Sequence, residues 1–119
     1  MPGSTSYENL VLRLHVLAEL IAGFVLLLSP STFVPTATPT HSETLRGVGN
    51  GAISIGLVGV ALLNMSIHSR PRILLGIIAQ YHCVVVWLML REPLPNLEII
   101  APSFHGLFAI YFLQRILRA

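Results

Sequence analysis

Leu10-Val11-Leu12-Arg13-Leu14-His15-Val16-Leu17-Ala18-Glu19-Leu20-Ile21-Ala22-Gly23-Phe24-Val25-Leu26-Leu27-Leu28 is the stretch that decides the fold. It runs for nineteen residues, and roughly 20 apolar residues in a helix cross a hydrocarbon layer of about 30 Å. A secretory signal peptide has a basic residue ahead of its apolar run and a small-x-small cleavage site behind it. Here no Lys or Arg precedes Leu10, and the run leaves through Leu28-Ser29-Pro30, so it reads as a membrane span. The runs Gly47 to Met65, Ile73 to Leu90 and Leu97 to Leu117 have similar length and character. The expectation is an all-α fold, a four-transmembrane-helix bundle forming a single domain over residues 1–119, with spans at about 10–28, 47–65, 73–90 and 97–117.

Composition agrees. The chain is 54% hydrophobic and 10% charged, against about 25% charged in a typical soluble domain. Its seven basic residues are all arginines, and their placement matters more than their sum. Arg70, Arg72, Arg115 and Arg118 fall on the side of the membrane shared by the termini and the segment Ser66 to Arg72; the other side has Arg91 and, at a helix start, Arg46. The positive-inside bias then predicts a multi-pass protein with both termini cytoplasmic. No basic run is long enough for nucleic acid. Cys83 is the only cysteine, so no internal disulfide forms.

Between the spans, Met1 to Ser6 is small and polar and expected to be disordered, with Tyr7 as an interfacial anchor. The connection Ser29 to Ser42 has three prolines and is the candidate lid, with Phe33, Val34 and Pro35 placed to dip into the interface. Ser42, Glu43 and Thr44 offer cap chemistry for the second helix. Arg70-Pro71-Arg72 and Glu92-Pro93-Leu94-Pro95-Asn96 make turns, and Pro102 is expected to kink the fourth helix from its interior. In the second helix Gly47, Gly51, Ala52 and Gly56 form small-xxx-small pairs. Lipid supplies no hydrophobic drive between helices, so these read as packing positions and as a possible homo-oligomer contact through helix two.

The polar residues within the spans form stripes on a 100° wheel. His15 and Glu19 are i,i+4 neighbours; Arg46, Asn50 and Ser54 share a face; Gln80 and Cys83 share one with Gly76 and Trp87; Glu98, Pro102 and His105 line up with Ala109. A polar group facing lipid costs several kcal/mol, so the expectation is that all four stripes surround one polar cavity. Glu19, near the middle of the first helix with no lysine or arginine within a turn, is the candidate acid or base. His15 and His105 are its candidate relay partners. Arg46, Asn50, Gln80 and Trp87 are the candidate substrate-binding residues. His82 lies opposite Gln80 on its helix, and Gln80 is preferred for the cavity. For each of these a structural role competes: an ion pair or hydrogen bond for Glu19, a satisfied core imidazole for the histidines, snorkelling for Arg46. No HExxH, cysteine pair, phosphate loop or nucleophile elbow occurs, so neither a metal nor another cofactor is expected.

Two stretches resemble small four-helix membrane proteins of the DoxX-like family: Leu45-Arg46-Gly47-Val48-Gly49-Asn50-Gly51-Ala52-Ile53-Ser54-Ile55-Gly56-Leu57 and Phe104-His105-Gly106-Leu107-Phe108-Ala109. The resemblance implies the four-span architecture and marks Arg46 and His105 as characteristic positions. It implies no particular activity, and Glu19 lies outside it.

Three functions fit these residues. An intramembrane enzyme, an isomerase or cyclase without cofactor, would rearrange a lipophilic small molecule by proton transfer. A transporter or channel subunit would conduct protons or a solute through an oligomer. A binding or assembly subunit would use its polar residues only to lock helices together. The enzyme is the leading expectation.

Overall fold

The computed structural model describes residues 2–118, and side chains from residue 7 onward. Four α-helices account for most of them: α1 (Pro2–Leu28), α2 (Pro39–Leu63), α3 (Arg72–Arg91) and α4 (Ile100–Arg118). No strand occurs among the described residues, and all four helices are long and apolar enough to span a membrane. The all-α, four-span expectation therefore holds, and the chain is an integral membrane protein. Helix is the outcome physics requires here, because a backbone in lipid must satisfy its own N–H and C=O groups within the segment.

The chain forms two compact units, residues 1–68 and 69–119, each an antiparallel helical hairpin. In the first, α1 buries the stripe Glu8, Leu12, His15, Glu19 and Gly23, at successive spacings of three or four residues. It meets α2 through glycines. A Cβ built on Gly49 would lie 2.7 Å from the carbonyl oxygen of Gly23, and one built on Gly23 would lie 2.9 Å from that of Gly49. The two backbones thus touch, which is how helices gain dispersion energy in a solvent as apolar as their own side chains. Further along, Gly56 accommodates Leu20, and Gly59 accommodates Val16 and His15. The inner small residues are Gly49, Ala52, Gly56 and Gly59, all buried, whereas Gly47 is exposed with open space around it.

Several boundaries differ from the sequence expectation. Helix α2 begins eight residues before Gly47, at Pro39. Its N-cap is Thr38, whose hydroxyl accepts from the N–H of His41 at 3.2 Å, and proline at the first helical position is pre-set for φ and has no N–H to orphan. Ser42 is consequently inside the helix, bonding its N–H to the Thr38 carbonyl at 2.8 Å. The candidate lid shrinks to a packed connection: Pro30–Thr32 makes one 3₁₀ turn against both helices, and Val34 is buried at 2% exposure. Residues 2–6, expected to be disordered, continue α1, which begins at Pro2.

In the second unit, α3 and α4 pack antiparallel, with Gly76 near the Ile116 side chain and His82 against His105. Asn96 turns the chain between them at φ 64°, a left-handed conformation asparagine tolerates, and its N–H donates to Glu98 Oε1 at 3.0 Å. Because α4 begins at Ile100, Pro102 stands in its first turn and not its interior. No intrahelical hydrogen bond is lost there, so the expected kink has no cause.

Candidate functional site: ionisable residues at membrane depth

In the first hairpin, the buried stripe of α1 carries three ionisable side chains: Glu8 at 5% exposure, His15 at 0% and Glu19 at 2%. His15 and Glu19 are one turn apart on one face, as their i,i+4 spacing requires. Space for the imidazole comes from α2: a side chain at position 59 would place its Cβ 3.2 Å from His15 Cδ2. Glu8 was not among the expected site residues, although the spacing Glu8, Leu12, His15, Glu19 puts it on the same stripe. The signal was present in the sequence, masked by its place near the chain's polar start.

Arg46, a candidate substrate ligand, is occupied structurally. Its Nη1 donates to the carbonyl of Leu27, one of the four C-terminal carbonyls of α1 that have no partner within their own helix. A cation there also complements the negative end of the helix dipole. Its Nε lies 3.8 Å from Glu43 Oε1 in an exposed pair, which is worth little by itself.

In the second hairpin, His82 is completely buried, and its Nδ1 lies 2.9 Å from Nδ1 of His105 on α4. The pair sits among aromatic rings. Phe108 stacks on His82 at 5.2 Å between centroids, Phe104 meets His105 edge-on at 5.6 Å, and Tyr81 meets His82 edge-on at 5.2 Å. One ring donates and the other accepts, so a single proton occupies the Nδ1–Nδ1 bond. A proton arriving at Nε2 of the donor ring lets the shared proton cross, and the acceptor ring can then release its own Nε2 proton. Net transfer requires no cofactor, and the apolar surroundings strengthen the bond.

The seven expected site residues are therefore not treated alike. His15 and Glu19 are buried together on α1, and His105 is partly buried against His82. Asn50, Gln80 and Trp87 are exposed and belong to no buried site. His82 and not Gln80 is the buried polar residue of α3: the helix turns Leu75, Ile78, His82 and Val85 inward and leaves Gln80 on the outer face with Ile77 and Val84. Trp87, at 54% exposure, carries the Arg91 guanidinium 4.9 Å above its ring, a cation–π pair at the end of α3 typical of an interfacial anchor. Buried side chains with metal-ligating atoms are Glu8, His15, Glu19 and His82, with His105 partly buried. No family model matches the chain, and neither do the curated proteins or the solved structures.

Proposed function

We propose that this integral membrane protein performs acid–base chemistry at bilayer depth on a lipophilic small molecule, rearranging it by proton transfer as an isomerase or cyclase does. The observation that carries the reading is the His82–His105 hydrogen bond, held among phenylalanines within helices long enough to span a membrane. Ionisable groups at that depth are expensive and are kept where they act. In this reading each hairpin carries its own proton-transfer group: Glu19, with His15 beside it on α1, gives or takes a proton, and the His82–His105 pair between α3 and α4 stores and passes one. Arg46 holds the end of α1 and thereby the geometry of that hairpin. The sequence likeness to DoxX-like proteins supports the architecture and is neutral about the chemistry.

We further propose that both termini are cytoplasmic. Arg70 and Arg72 precede or open α3 and Arg115 and Arg118 close α4, so one end of that hairpin holds four arginines while the other holds Arg91 with Glu92 and Glu98.

Isomerisation conserves mass, and this gives a test that needs no prior substrate. In cells whose own copy is replaced by wild type or by Glu19→Gln, total lipid extracts are compared by chromatography coupled to mass spectrometry. The expected result is a pair of equal-mass species whose ratio follows the wild-type protein and does not respond to Glu19→Gln. Unchanged ratios throughout, or equal conversion by both proteins, would sink the proposal. So would a pH gradient dissipated by reconstituted wild type with no isomer pair, which is the signature of a proton conductor.

A further inference from the structure

The chain between α1 and α2 has a composition unlike the rest of the protein. Of the 16 residues from Ser29 to Thr44, eight are Ser or Thr and three are proline, with no Lys or Arg among them. Hydroxyls interspersed with prolines mark segments that accept O-linked sugars, and the structure says which hydroxyl is available. Arg46 reaches the Leu27 carbonyl at the C-terminal end of α1, so the stretch Pro39 to Leu45 carries α2 about 10 Å past that end at 1.5 Å per residue. The connection is thus held beyond the apolar part of the hairpin. Several of its hydroxyls are engaged: those of Ser29 and Thr32 hydrogen-bond to one another at 3.1 Å, that of Thr38 caps α2, and that of Thr44 donates to the Thr40 carbonyl. Among the described residues, the exposed hydroxyls of this stretch outside such bonds are Ser31, Thr36 and Thr40. Ser31 is locked inside the 3₁₀ turn and Thr40 in the first turn of α2. Thr36 stands at a corner outside any helix. The Ala37 N–H donates to the Val34 carbonyl at 3.0 Å, closing a turn with Pro35 and Thr36 at its two central positions. Val34, buried at 2% exposure, pins this turn to the hairpin, while Pro35 and Thr36 face outward.

We propose that Thr36 is a modification site, an acceptor of an O-linked sugar. A glycosyltransferase of the non-cytoplasmic compartment transfers a hexosyl group from a phosphate-activated donor: the bond from Thr36 Oγ1 to the sugar C1 forms, the bond from C1 to the donor phosphate oxygen breaks, the phosphate leaves as an anion and the hydroxyl proton passes to the transferase base. The acceptor must enter a cleft in the transferase, which a residue within a helix cannot do without unwinding, whereas a turn corner on a surface loop can. Proline on either side of the acceptor, at positions 35 and 39, fixes φ and limits the conformations the segment must lose on entering the cleft. A sugar on Thr36 displaces no packed side chain and breaks no hydrogen bond, whereas one on Thr38 would occupy the oxygen that caps α2. The proposal rests on the cytoplasmic placement of the termini proposed above, which puts this connection on the opposite side, and is independent of the catalytic reading.

The test purifies the full chain from the membranes of its own cells and maps its peptides by mass spectrometry with a fragmentation method that leaves sugars in place. Wild type is expected to carry a hexose or N-acetylhexosamine increment on Thr36, Thr36→Ala to lose it, and Thr36→Ser, which keeps a hydroxyl, to retain it; Thr40→Ala should leave it unchanged. Peptide mapping of wild type needs no variant to fold. Orientation is read separately, by labelling Ser31→Cys in a Cys83→Ser, Thr36→Ala background with an impermeant maleimide in sealed cells. Labelled Ser31→Cys with an unmodified Thr36 in wild type overturns the proposal and leaves the orientation standing. Unlabelled Ser31→Cys with an unmodified Thr36 overturns both. A sugar on Thr38 or Thr40 in place of Thr36, or a phosphate on Thr36, overturns the assignment equally.

Discussion

Gly49 and Gly47 stand two residues apart in one helix and meet opposite surroundings. A methyl group at 49 would overlap the Gly23 carbonyl at 2.7 Å and the Leu27 nitrogen at 2.8 Å, whereas at 47 it would touch nothing within 4 Å. Backbone atoms cannot swing aside as a flexible side chain can, so Gly49→Ala has to push α1 and α2 apart. Its expected cost is about 1–3 kcal/mol, the usual range for forcing a group into a filled core. Gly47→Ala should leave the fold as stable as wild type and slightly more helical. Reversible unfolding in mixed micelles would measure both, and equal stabilities would show that the glycine crossing is not tight. His82 and Gln80 teach the same lesson at the same separation: each lies on a regular stripe of α3, and identity alone does not say which stripe turns inward.

Helix α2 shows how an element's ends depend on signals weaker than its middle. The apolar run that marks a span starts near Gly47, yet the helix continues back to Thr38 because a hydroxyl cap and a proline at the first position make a sound N-terminus. Two plausible caps, Thr38 and Ser42, stand one turn apart, and hydropathy does not choose between them. Thr38→Ala should therefore lower stability by about 1 kcal/mol and raise amide exchange in the first turns of α2, while Ser42→Ala should do neither. If hydrogen exchange instead responds to Ser42→Ala, the helix starts where the hydropathy alone placed it. Pro102 repeats the point at α4: three residues of helix boundary turn an expected kink into an ordinary first-turn proline.

For the whole molecule, the proposed orientation rests on charge and can be checked without knowing the function. With both ends cytoplasmic, a cysteine placed at Ser4 or at His68 in the α2–α3 connection, in a Cys83→Ser background, should react with an impermeant maleimide only after the cytoplasmic face is opened. One placed at Thr36 should react in sealed cells. The reverse pattern would show that the four arginines at the α3–α4 end do not set the topology. The sequence by itself determined that the chain is all-helical with four membrane-length segments, because hydrocarbon excludes every other way for a single short chain to satisfy its backbone. It also revealed the His15, Glu19 stripe, because helical spacing is a property of the chain alone. Only the tertiary structure decided that His82 and not Gln80 is buried, that Asn50 faces outward, and that Arg46 is spent on the carbonyl of Leu27. A span with two regular stripes looks alike from either side until a neighbouring helix approaches, and the small residues that admit the neighbour are judged by backbone distances that no periodicity contains.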